Sequence, residues 1–320
     1  AMALRSSLVL LVVCLATGIA SEGEFCYDVT SACGPSHWPD LDSTCGGKEQ
    51  SPINVDRKGL MRNSSLNQID FQGYDTAPEA TWTISNNGHA IVVTVGGEMQ
   101  MSGGGLPTTY KPLQFHFHWG SPASKGSEHT LDKKRYYMEL HIVHIKSEYE
   151  DIASALSDRR GVAVLGVFLD VTDTDNGNLS TITDALPDVI YKGSSKDLPA
   201  TFPLGNLLPP KQNLTRYYRY DGSLTTPGCN EAVIWTVFES PIKIGLEQYK
   251  LFADTILSTA DGDSSTEKLI NNFRSVQELN SRTVYASRDA TVLSCGNIPL
   301  LSFVLSVLPF LAMRLTWAGQ

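Results

Sequence analysis

The sequence lacks any run of basic residues longer than the three at 133–135, and its formal net charge is −9 over 320 residues. Surfaces that bind nucleic acids or anionic lipids usually concentrate lysine and arginine, so this charge balance argues against both kinds of partner. The sequence also lacks internal repeats and low-complexity linkers, which favours one large domain. Chemistry on a small molecule is the function class that remains.

Cysteine is scarce as well: the chain has six, and no two of them form a C-x-x-C pair. This spacing argues against a redox role. Cys14 lies in a segment that we expect to be removed, and Cys295 lies beside an apolar tail, which leaves four cysteines for the folded domain. In an oxidising compartment four cysteines form two disulfides, and the sequence allows three pairings. The pairing that we favour is Cys26 with Cys33 and Cys45 with Cys229.

The first twenty residues have the pattern of a secretory signal peptide. Arg5 supplies a positive charge, and the apolar run over residues 8–15 is too short to span a bilayer. Small residues follow it, so we expect cleavage near Ala20 and a folded domain over residues 21–285. Three sequons fit a glycosylated exterior; they begin at Asn63, Asn178 and Asn213.

The C-terminal region has an almost wholly apolar stretch over residues 298–317. It predicts either a single-pass helix or a hydrophobic signal that is replaced by a glycosylphosphatidylinositol (GPI) anchor. We favour the anchor, because residues 286–297 supply the small residues and polar spacer that such a signal needs before its tail. Residues 286–320 are therefore interpreted as spacer and signal, with Ser287 or Ser294 as the attachment residue.

Many short stretches alternate apolar or β-branched residues with polar ones between turn residues, which predicts strands. The best examples are residues 81–85, 90–95, 113–119, 136–145, 162–169 and 232–238. Helical patterns are fewer, and the best cover residues 148–156, 179–189 and 246–257. The predicted fold class is α+β and β-dominated, with short peripheral helices.

Two histidines lie two residues apart on one of these predicted strands. Because side chains alternate along a strand, Gln114, His116 and His118 project from one face and three aromatic residues from the other. Two imidazoles on one face can converge on a metal ion. A pair of hydrogen-bonded core histidines would give the same pattern, so this motif alone leaves both interpretations open.

A second predicted strand supplies a third imidazole. The same alternation places Glu139, His141 and Val143 on one face and His144, which we interpret as structural, on the other. Three neutral imidazoles suit a catalytic zinc site that leaves one position for water, whose pKa the metal lowers to about 7. Gln114 and Glu139 each precede a ligand by two residues, so each could orient its ring from the far side.

Seven motifs extend this pattern along the chain: SPINV (51–55), NNGHA (86–90), QFHFHWG (114–120), GSEHTLDKK (126–134), ELHIVH (139–144), VLGVFL (164–169) and SLTTPG (223–228). With them, the sequence closely resembles the α-class carbonic anhydrases from about Tyr27 to Arg274. The tail and the cysteine layout are most similar to the GPI-anchored membrane isozyme of that family. The resemblance implies a single domain on a large central, mostly antiparallel twisted sheet.

It also implies an activity, the reversible hydration of carbon dioxide to bicarbonate and a proton, with Zn²⁺ as cofactor. The implied zinc ligands are His116, His118 and His141, and the groups that orient them are Gln114, Glu139 and the backbone of Asn272. The implied wall around carbon dioxide consists of Val143, Val164, Leu224, Val233 and Trp235.

Further roles are implied for polar residues near this wall. Thr225 would orient the nucleophile by donating its own proton to Glu128, which makes the threonine oxygen an acceptor, and Thr226 would help to bind bicarbonate. His89 would shuttle the product proton, since an imidazole with a pKa of about 6.5 can do so near neutral pH. A water network would run beside Tyr27 and Asn87.

Two other functions fit parts of the pattern. A catalytically silent member of the family, used for adhesion or ligand binding, would typically lack a zinc histidine, and none is missing here. A secreted zinc esterase would use the same ligands, but the apolar wall fits carbon dioxide better. We expect a monomer on the extracellular face of the plasma membrane, with bicarbonate transporters as candidate partners.

Overall fold

The structure is a computed structural model that describes residues 25–293. The expected signal peptide, Cys14, Ser294, Cys295 and the apolar tail lie outside the described residues. The strands are β1 (Asn54–Val55), β2 (Met61–Arg62), β3 (Ile69–Gln72), β4 (Thr83–Asn86), β5 (Ile91–Thr94), β6 (Gln100–Gly103), β7 (Tyr110–Trp119), β8 (Thr130–Leu131), β9 (Met138–Lys146), β10 (Val162–Thr172), β11 (Ser195–Asp197), β12 (Tyr217–Gly222), β13 (Val233–Phe238), β14 (Ile242–Gly245) and β15 (Tyr285–Ala286).

Most of these strands belong to one large sheet. Its order is β11-β4-β5-β7-β9-β10-β13-β12-β15-β2, with β14 beside β10, and with β6 between β3 and β7. Most neighbours in the sheet are antiparallel, as predicted, but β10 runs parallel to both β13 and β14. The two strands that carry the predicted zinc ligands, β7 and β9, are adjacent in the middle of this order.

The two faces of β7 meet different surroundings. Phe115, Phe117 and Trp119 are fully buried in the larger hydrophobic cluster on one side of the sheet. Burial of each such ring stabilises the fold by on the order of 2–3 kcal/mol. A second cluster, which includes Val143 and Trp235, packs on the other side. The predicted alternation is therefore confirmed, and it turns the histidines of β7 toward the second cluster.

The helices are short and lie outside the sheet: α1 (Trp38–Leu41), α2 (Ile152–Leu156), α3 (Ser180–Thr183) and α4 (Leu246–Lys250), which continues as a π-helical turn (Leu251–Thr255). Short 3-10 turns cover Ser43–Gly46, Gly177–Leu179, Leu186–Asp188, Leu204–Leu207 and Lys211–Asn213. Among residues 25–293, no helix has both the length and the apolar character that crossing a membrane requires.

The predicted helices were too long. The segment predicted as a helix from residue 148 becomes helical only at Ile152, because the Asp151 side chain accepts a hydrogen bond from Ser154 N–H and caps the helix there. In the segment over residues 179–189, α3 ends at Thr183 and a separate 3-10 turn contains Pro187, which has no N–H to continue the helix.

Both predicted disulfides are present, Cys26–Cys33 and Cys45–Cys229. The second joins residues 184 positions apart. Cys45 and Cys229 are buried against Trp38 of α1. The segment that follows β12 and leads to Cys229 is thereby fixed to the N-terminal part of the domain.

The fold extends past the predicted domain end at residue 285. Strand β15 pairs with both β12 and β2, and Leu293 N–H donates to Arg57 O at 2.9 Å. Ser287 is fully buried, and its hydroxyl donates to Thr215 O at 2.7 Å. Attachment of an anchor at Ser287 would remove residues 288–293, including the buried Ala290. The described fold therefore continues beyond residue 285, and Ser287 is a buried position within it. The domain boundary and the choice between Ser287 and Ser294 stay predictions.

Candidate metal centre and active site

The three predicted zinc ligands meet on one face of the sheet. His116 and His141 lie directly opposite each other in the antiparallel register of β7 and β9, and His118 follows one pleat further along β7. The ring centroids are 5.0 Å apart for His116 and His118, 5.2 Å for His116 and His141, and 4.6 Å for His118 and His141. One nitrogen of each ring lies within 4.8 Å of the other two.

Each ring is oriented by an acceptor behind it. His116 Nδ1 lies 2.9 Å from Gln114 Oε1, and His141 Nε2 lies 2.8 Å from Glu139 Oε1. His118 Nδ1 lies 2.7 Å from the backbone oxygen of Asn272. Because these oxygens only accept, the nitrogens that face them carry the hydrogens. The lone pairs of His116 Nε2, His118 Nε2 and His141 Nδ1 therefore face one another, as the two-residue spacing predicted for Gln114 and Glu139.

The protonation states suit a metal. Burial, with the neighbouring rings of His118 and His141, holds the pKa of His116 well below its usual value, and burial also lowers the pKa of His118. Neutral imidazoles are the form that binds zinc. His118 Nε2 is buried and has no hydrogen-bond partner within residues 25–293. A nitrogen lone pair of this kind is costly unless it is bound, so the donor set fits zinc in a three-histidine site.

Glu139 is the anion beside this centre. Burial alone would raise the pKa of its carboxyl, but the facing rings of His129 and His141 hold that pKa well below the usual range. His129 donates from its backbone N–H to Glu139 Oε2 at 2.7 Å, and its ring Nδ1 lies 2.6 Å from Oε1. His129, Glu139 and His141 thus form a second group with metal-binding atoms. Its nitrogens are already paired with the carboxylate, so we assign the metal to the three histidines.

Glu128 reaches the same centre from the segment before β8. Its Oε1 accepts from Arg274 N–H at 2.7 Å, while Oε2 lies 3.5 Å from His118 Nε2. Within the described chain, Oε2 has no hydrogen-bond partner. The predicted hydrogen bond from Thr225 is therefore not formed in this structure, because Oε2 is turned toward the histidine rings. Thr225 is nevertheless buried, with 5% of its surface exposed.

Known proteins are similar to this chain over most of its length. The family model for the eukaryotic-type carbonic anhydrases matches residues 33–288. Carbonic anhydrase 15 of Mus musculus is 43% identical over 92% of this chain and 93% of its own length. Carbonic anhydrase 12 of Homo sapiens is 38% identical over 79% of this chain and 71% of its own length. Carbonic anhydrase 4 of Rattus norvegicus is 34% identical, over 88% and 90% respectively.

This chain belongs to the carbonic anhydrase family. The family model spans the histidine strands, the Glu128 segment and the SLTTPG segment, and the histidine triad described above is complete. The chain is accordingly an enzyme of the carbonic anhydrase type, a family that hydrates carbon dioxide and depends on zinc. The resemblance that was stated on the sequence motifs is confirmed.

The apolar wall of this carbonic anhydrase begins beside His141. Val143, Val164 and Trp235 are register partners across β9, β10 and β13, and all three are buried. The Trp235 ring centroid lies 4.8 Å from that of His141. Val233 is buried on the same strand as Trp235, and Leu224 packs against this cluster. The residues expected to surround carbon dioxide therefore lie together beside the histidines.

His89 lies in the turn between β4 and β5, and β5 is the neighbour of the histidine strand β7. Asn87 Oδ1 accepts from His89 N–H at 2.8 Å and from Ala90 N–H at 2.7 Å, which fixes this turn. Asn272 Nδ2 donates to His89 O at 2.9 Å. The residue that orients His118 through its backbone thus also holds the turn that carries His89.

Two aromatic residues surround the His89 ring. Phe25 stacks on it with centroids 3.9 Å apart, and the Tyr27 ring is edge-on at 6.5 Å. Burial, followed by the charge of Glu128, raises the pKa of Tyr27 well above its usual value. Tyr27 and Asn87 therefore both contact His89, and their role in a water network stays a prediction. Phe25 was not predicted. The position of Phe25 next to the disulfide at Cys26 was the only sequence signal for it.

Arg274 is a residue near the site that was not predicted. Its backbone N–H positions Glu128, and its guanidinium donates to Gln50, Ser51 and Cys45.

His144 is structural, as predicted. It is fully buried, its Nδ1 bonds to Ile142 O at 2.9 Å and its Nε2 bonds to Tyr74. Burial lowers the pKa of His144 to about 4, so the ring stays neutral.

Proposed function

We propose that this chain catalyses the reversible hydration of carbon dioxide to bicarbonate and a proton, on the extracellular face of the plasma membrane. The observation that carries the proposal is a triad of imidazoles whose metal-binding nitrogens converge directly beside an apolar wall. The lone pairs of His116, His118 and His141 share one centre, and the Trp235 ring lies within 5 Å of the His141 ring centroid. A site of this composition combines a charged centre with room for a nonpolar substrate.

The three histidines would hold Zn²⁺, which when bound lowers the pKa of a water so that a nucleophile is available near neutral pH. Gln114, Glu139 and the Asn272 carbonyl keep the ligand rings in the tautomer that binds. The wall at Val143, Val164, Leu224, Val233 and Trp235 would place carbon dioxide beside this centre and exclude bulk water. Both reactants would thereby be positioned next to each other before they react.

Glu128 and Thr225 would orient the attacking water. Glu128 has one carboxylate oxygen fixed by Arg274 N–H and one without a hydrogen-bond partner in the described chain. A rotation that brings the Thr225 hydroxyl to this second oxygen would make Thr225 an acceptor for the water's hydrogen. Thr226, which follows it, would contact the bicarbonate product.

His89 would carry the product proton to buffer. Its ring is partly exposed and belongs to the same surface as Tyr27 and Asn87, where ordered water could link it to the centre. An imidazole takes up and releases a proton readily near neutral pH. The separate location of His89 would allow proton release without disturbing the ligands.

The proposed location depends on the ends of the chain and on the disulfides. A signal peptide over residues 1–20, cleaved near Ala20, would direct the chain to the oxidising compartment that Cys26–Cys33 and Cys45–Cys229 require. A GPI anchor at Ser294 would then hold the domain at the membrane, directly after Leu293, whose N–H donates to Arg57 O. Glycans at Asn63, Asn178 and Asn213 and a monomeric state complete this proposal, and bicarbonate transporters are the protein partners that it suggests.

Stopped-flow measurement of carbon dioxide hydration by the purified protein, with zinc determination, tests the activity. We expect one zinc per chain and a rate far above the uncatalysed reaction, both lost in His116→Ala. Equal rates for the two proteins would refute the proposal. For the location, phosphatidylinositol-specific phospholipase C should release the protein from cells, and retention after treatment would favour a spanning helix instead.

A further inference from the structure

A buried linear series of hydrogen bonds, which we call the file, connects the predicted metal ligand His141 to the segment that carries Thr225. It starts at Glu139, whose Oε1 is shared by His141 Nε2 at 2.8 Å and His129 Nδ1 at 2.6 Å. His129 Nε2 lies 2.6 Å from Tyr220 Oη, which lies 2.9 Å from Ser51 Oγ. The file ends at Ser223, whose backbone N–H donates to Ser51 Oγ at 3.0 Å. All of its members are buried, with at most 2% of their surface exposed.

The direction of every bond in this file is fixed from the Glu139 end. Glu139 is anionic and can only accept, so the ring nitrogens of His141 and His129 that face it both carry hydrogens. When His129 carries a single ring hydrogen, which faces Glu139, its Nε2 accepts and the Tyr220 hydroxyl donates to it. The Tyr220 oxygen in turn accepts from the Ser51 hydroxyl.

The other end fixes the same direction independently. The backbone N–H of Ser223 can only donate, so Ser51 Oγ accepts from it and its own hydrogen is free to go to Tyr220. The opposite arrangement, in which Tyr220 donates to Ser51, would leave the Ser51 hydrogen without an acceptor in the described part of the chain. Both ends therefore agree on one orientation, in which each group donates to the next one toward Glu139. Hydrogen bonds aligned in this way strengthen one another.

The packing around the file shows why it can form. A Cβ atom built on Gly222 would lie 2.3 Å from Ser51 Oγ and 2.7 Å from Tyr220 Cε2, so a side chain at this position would separate the two hydroxyls. Ser51 N–H also donates to Ser223 Oγ at 2.9 Å, which makes the Ser51–Ser223 contact reciprocal. Trp235 Nε1 donates to Ser223 O at 3.0 Å and holds the start of the SLTTPG segment.

We propose that Tyr220 and Ser51 are positioning residues for the metal centre. Through His129 they hold Glu139 so that it keeps His141 Nδ1 directed at the metal, and through Ser223 they couple this ligand to the segment that presents Thr225. Neither residue touches the metal or the substrate. The proposal relies on zinc binding by the triad, and outer groups of this kind commonly change metal affinity by 10–100-fold.

Tyr220→Phe tests the proposal, because it removes one hydroxyl and keeps the ring that packs beside Trp235 and His129. The matched control is Tyr217→Phe on the same strand, whose hydroxyl is also buried and bonds to Asn67 O and Gly104 O, away from the file. Zinc affinity would be measured by competition with a chromophoric chelator on the full protein. We expect Tyr220→Phe to weaken it about tenfold and Tyr217→Phe to leave it unchanged.

Equal affinities for these two variants would overturn the proposal. If the wild type itself bound no zinc, the proposed function would fail instead, so the two failures are distinguishable. Ser51→Ala supplies a second variant that keeps the fold of the ring cluster. If the file acts as a unit, the double variant Ser51→Ala/Tyr220→Phe should bind zinc no more weakly than the weaker single variant, whereas multiplied effects would contradict a connected file.

A spectroscopic measurement separates positioning from general loosening. The ¹⁵N chemical shift of His129 Nε2 should show an acceptor nitrogen that is hydrogen-bonded in the wild type and in Tyr217→Phe. In Tyr220→Phe it should move toward the value of a free imidazole nitrogen. An unchanged shift would show that Tyr220 does not donate to His129, and the proposed direction would be wrong.

Discussion

The candidate active site consists of two parts that differ in how the chain presents them. His116, His118 and His141 lie on the central strands β7 and β9, whose register places them opposite each other. Glu128, Thr225 and His89 lie on connections between strands. The strand-borne part is complete in this structure, since every ligand has its orienting acceptor. The loop-borne part still lacks the contact expected between Thr225 and Glu128.

This difference has a physical cause. A residue on a paired strand inherits its direction from two ladders of backbone hydrogen bonds, and rotation would disrupt the packing of the opposite face. A residue on a connection is directed by a few local contacts, such as the two N–H groups that donate to Asn87. We therefore expect substitutions in the strand-borne part to remove the metal, and substitutions in the loop-borne part to slow single steps.

The largest effect is expected for His116→Ala. Loss of one of three ligands should release zinc and reduce the hydration rate by up to on the order of 10⁶-fold, the scale of enzymatic acceleration. His144→Gln on β9 is the control, because His144 is also a buried strand histidine but faces away from the centre. It should keep zinc, as metal analysis would show. Loss of zinc in both variants would contradict the distinction.

Glu128→Gln should reduce kcat/KM by about 10²–10³-fold and leave zinc in place. The reason is that an amide no longer forces Thr225 to accept from the water, and a preorganised contact of this kind is worth that factor. Thr225→Val should have a similar effect, and the double variant should be no worse than either alone. Stopped-flow kinetics of the three variants would measure this, and independent effects would show that the two residues do not act as a pair.

His89→Ala should lower kcat by about 10²-fold in dilute buffer, because the proton then has no general acid or base beside the centre. The value of kcat/KM should stay unchanged, since carbon dioxide attack does not involve His89. Added imidazole should restore kcat in proportion to its concentration. A fall in kcat/KM of the same size would contradict this prediction, because it would show that His89 takes part in the attack on carbon dioxide.

The smallest effect is expected for Gln114→Ala, which removes the acceptor behind His116. Zinc should still bind, but about tenfold more weakly, as for other groups that orient a ligand. Thr94→Ala is the control, since Thr94 is the register partner of Gln114 on β5 and has an exposed side chain. Competition with a chelator would compare the two. Equal affinities would show that the sheet alone orients the ring.

The strand-borne part could be predicted from the residues alone, because alternation along a strand determines which side chains share a face. The predicted strand at 113–119 and the one at 136–145 agree with β7 and β9 within a few residues. The orienting roles of Gln114 and Glu139 followed from the same spacing. Asn272 could not be predicted in this way, since it acts through its backbone from a distant segment.

The loop-borne part required the family resemblance. Nothing in the local sequence indicates that Glu128 Oε2 lies 3.5 Å from His118 Nε2, or that the Arg274 N–H fixes Glu128. The helices were overestimated because their apolar patterns do not show where Asp151 caps or Pro187 interrupts a helix. Strand β15 was not predicted, because it has only two residues, too few for any sequence period to reveal.

Anomalous diffraction at the zinc absorption edge from crystals of the purified protein tests the central claim most directly. We predict one peak within about 2.0–2.1 Å of His116 Nε2, His118 Nε2 and His141 Nδ1, with no fourth protein ligand. A peak between His129 and Glu139, or one that includes Glu128 Oε2 as a ligand, would contradict the account, because no open position for the reacting water would then remain at the triad.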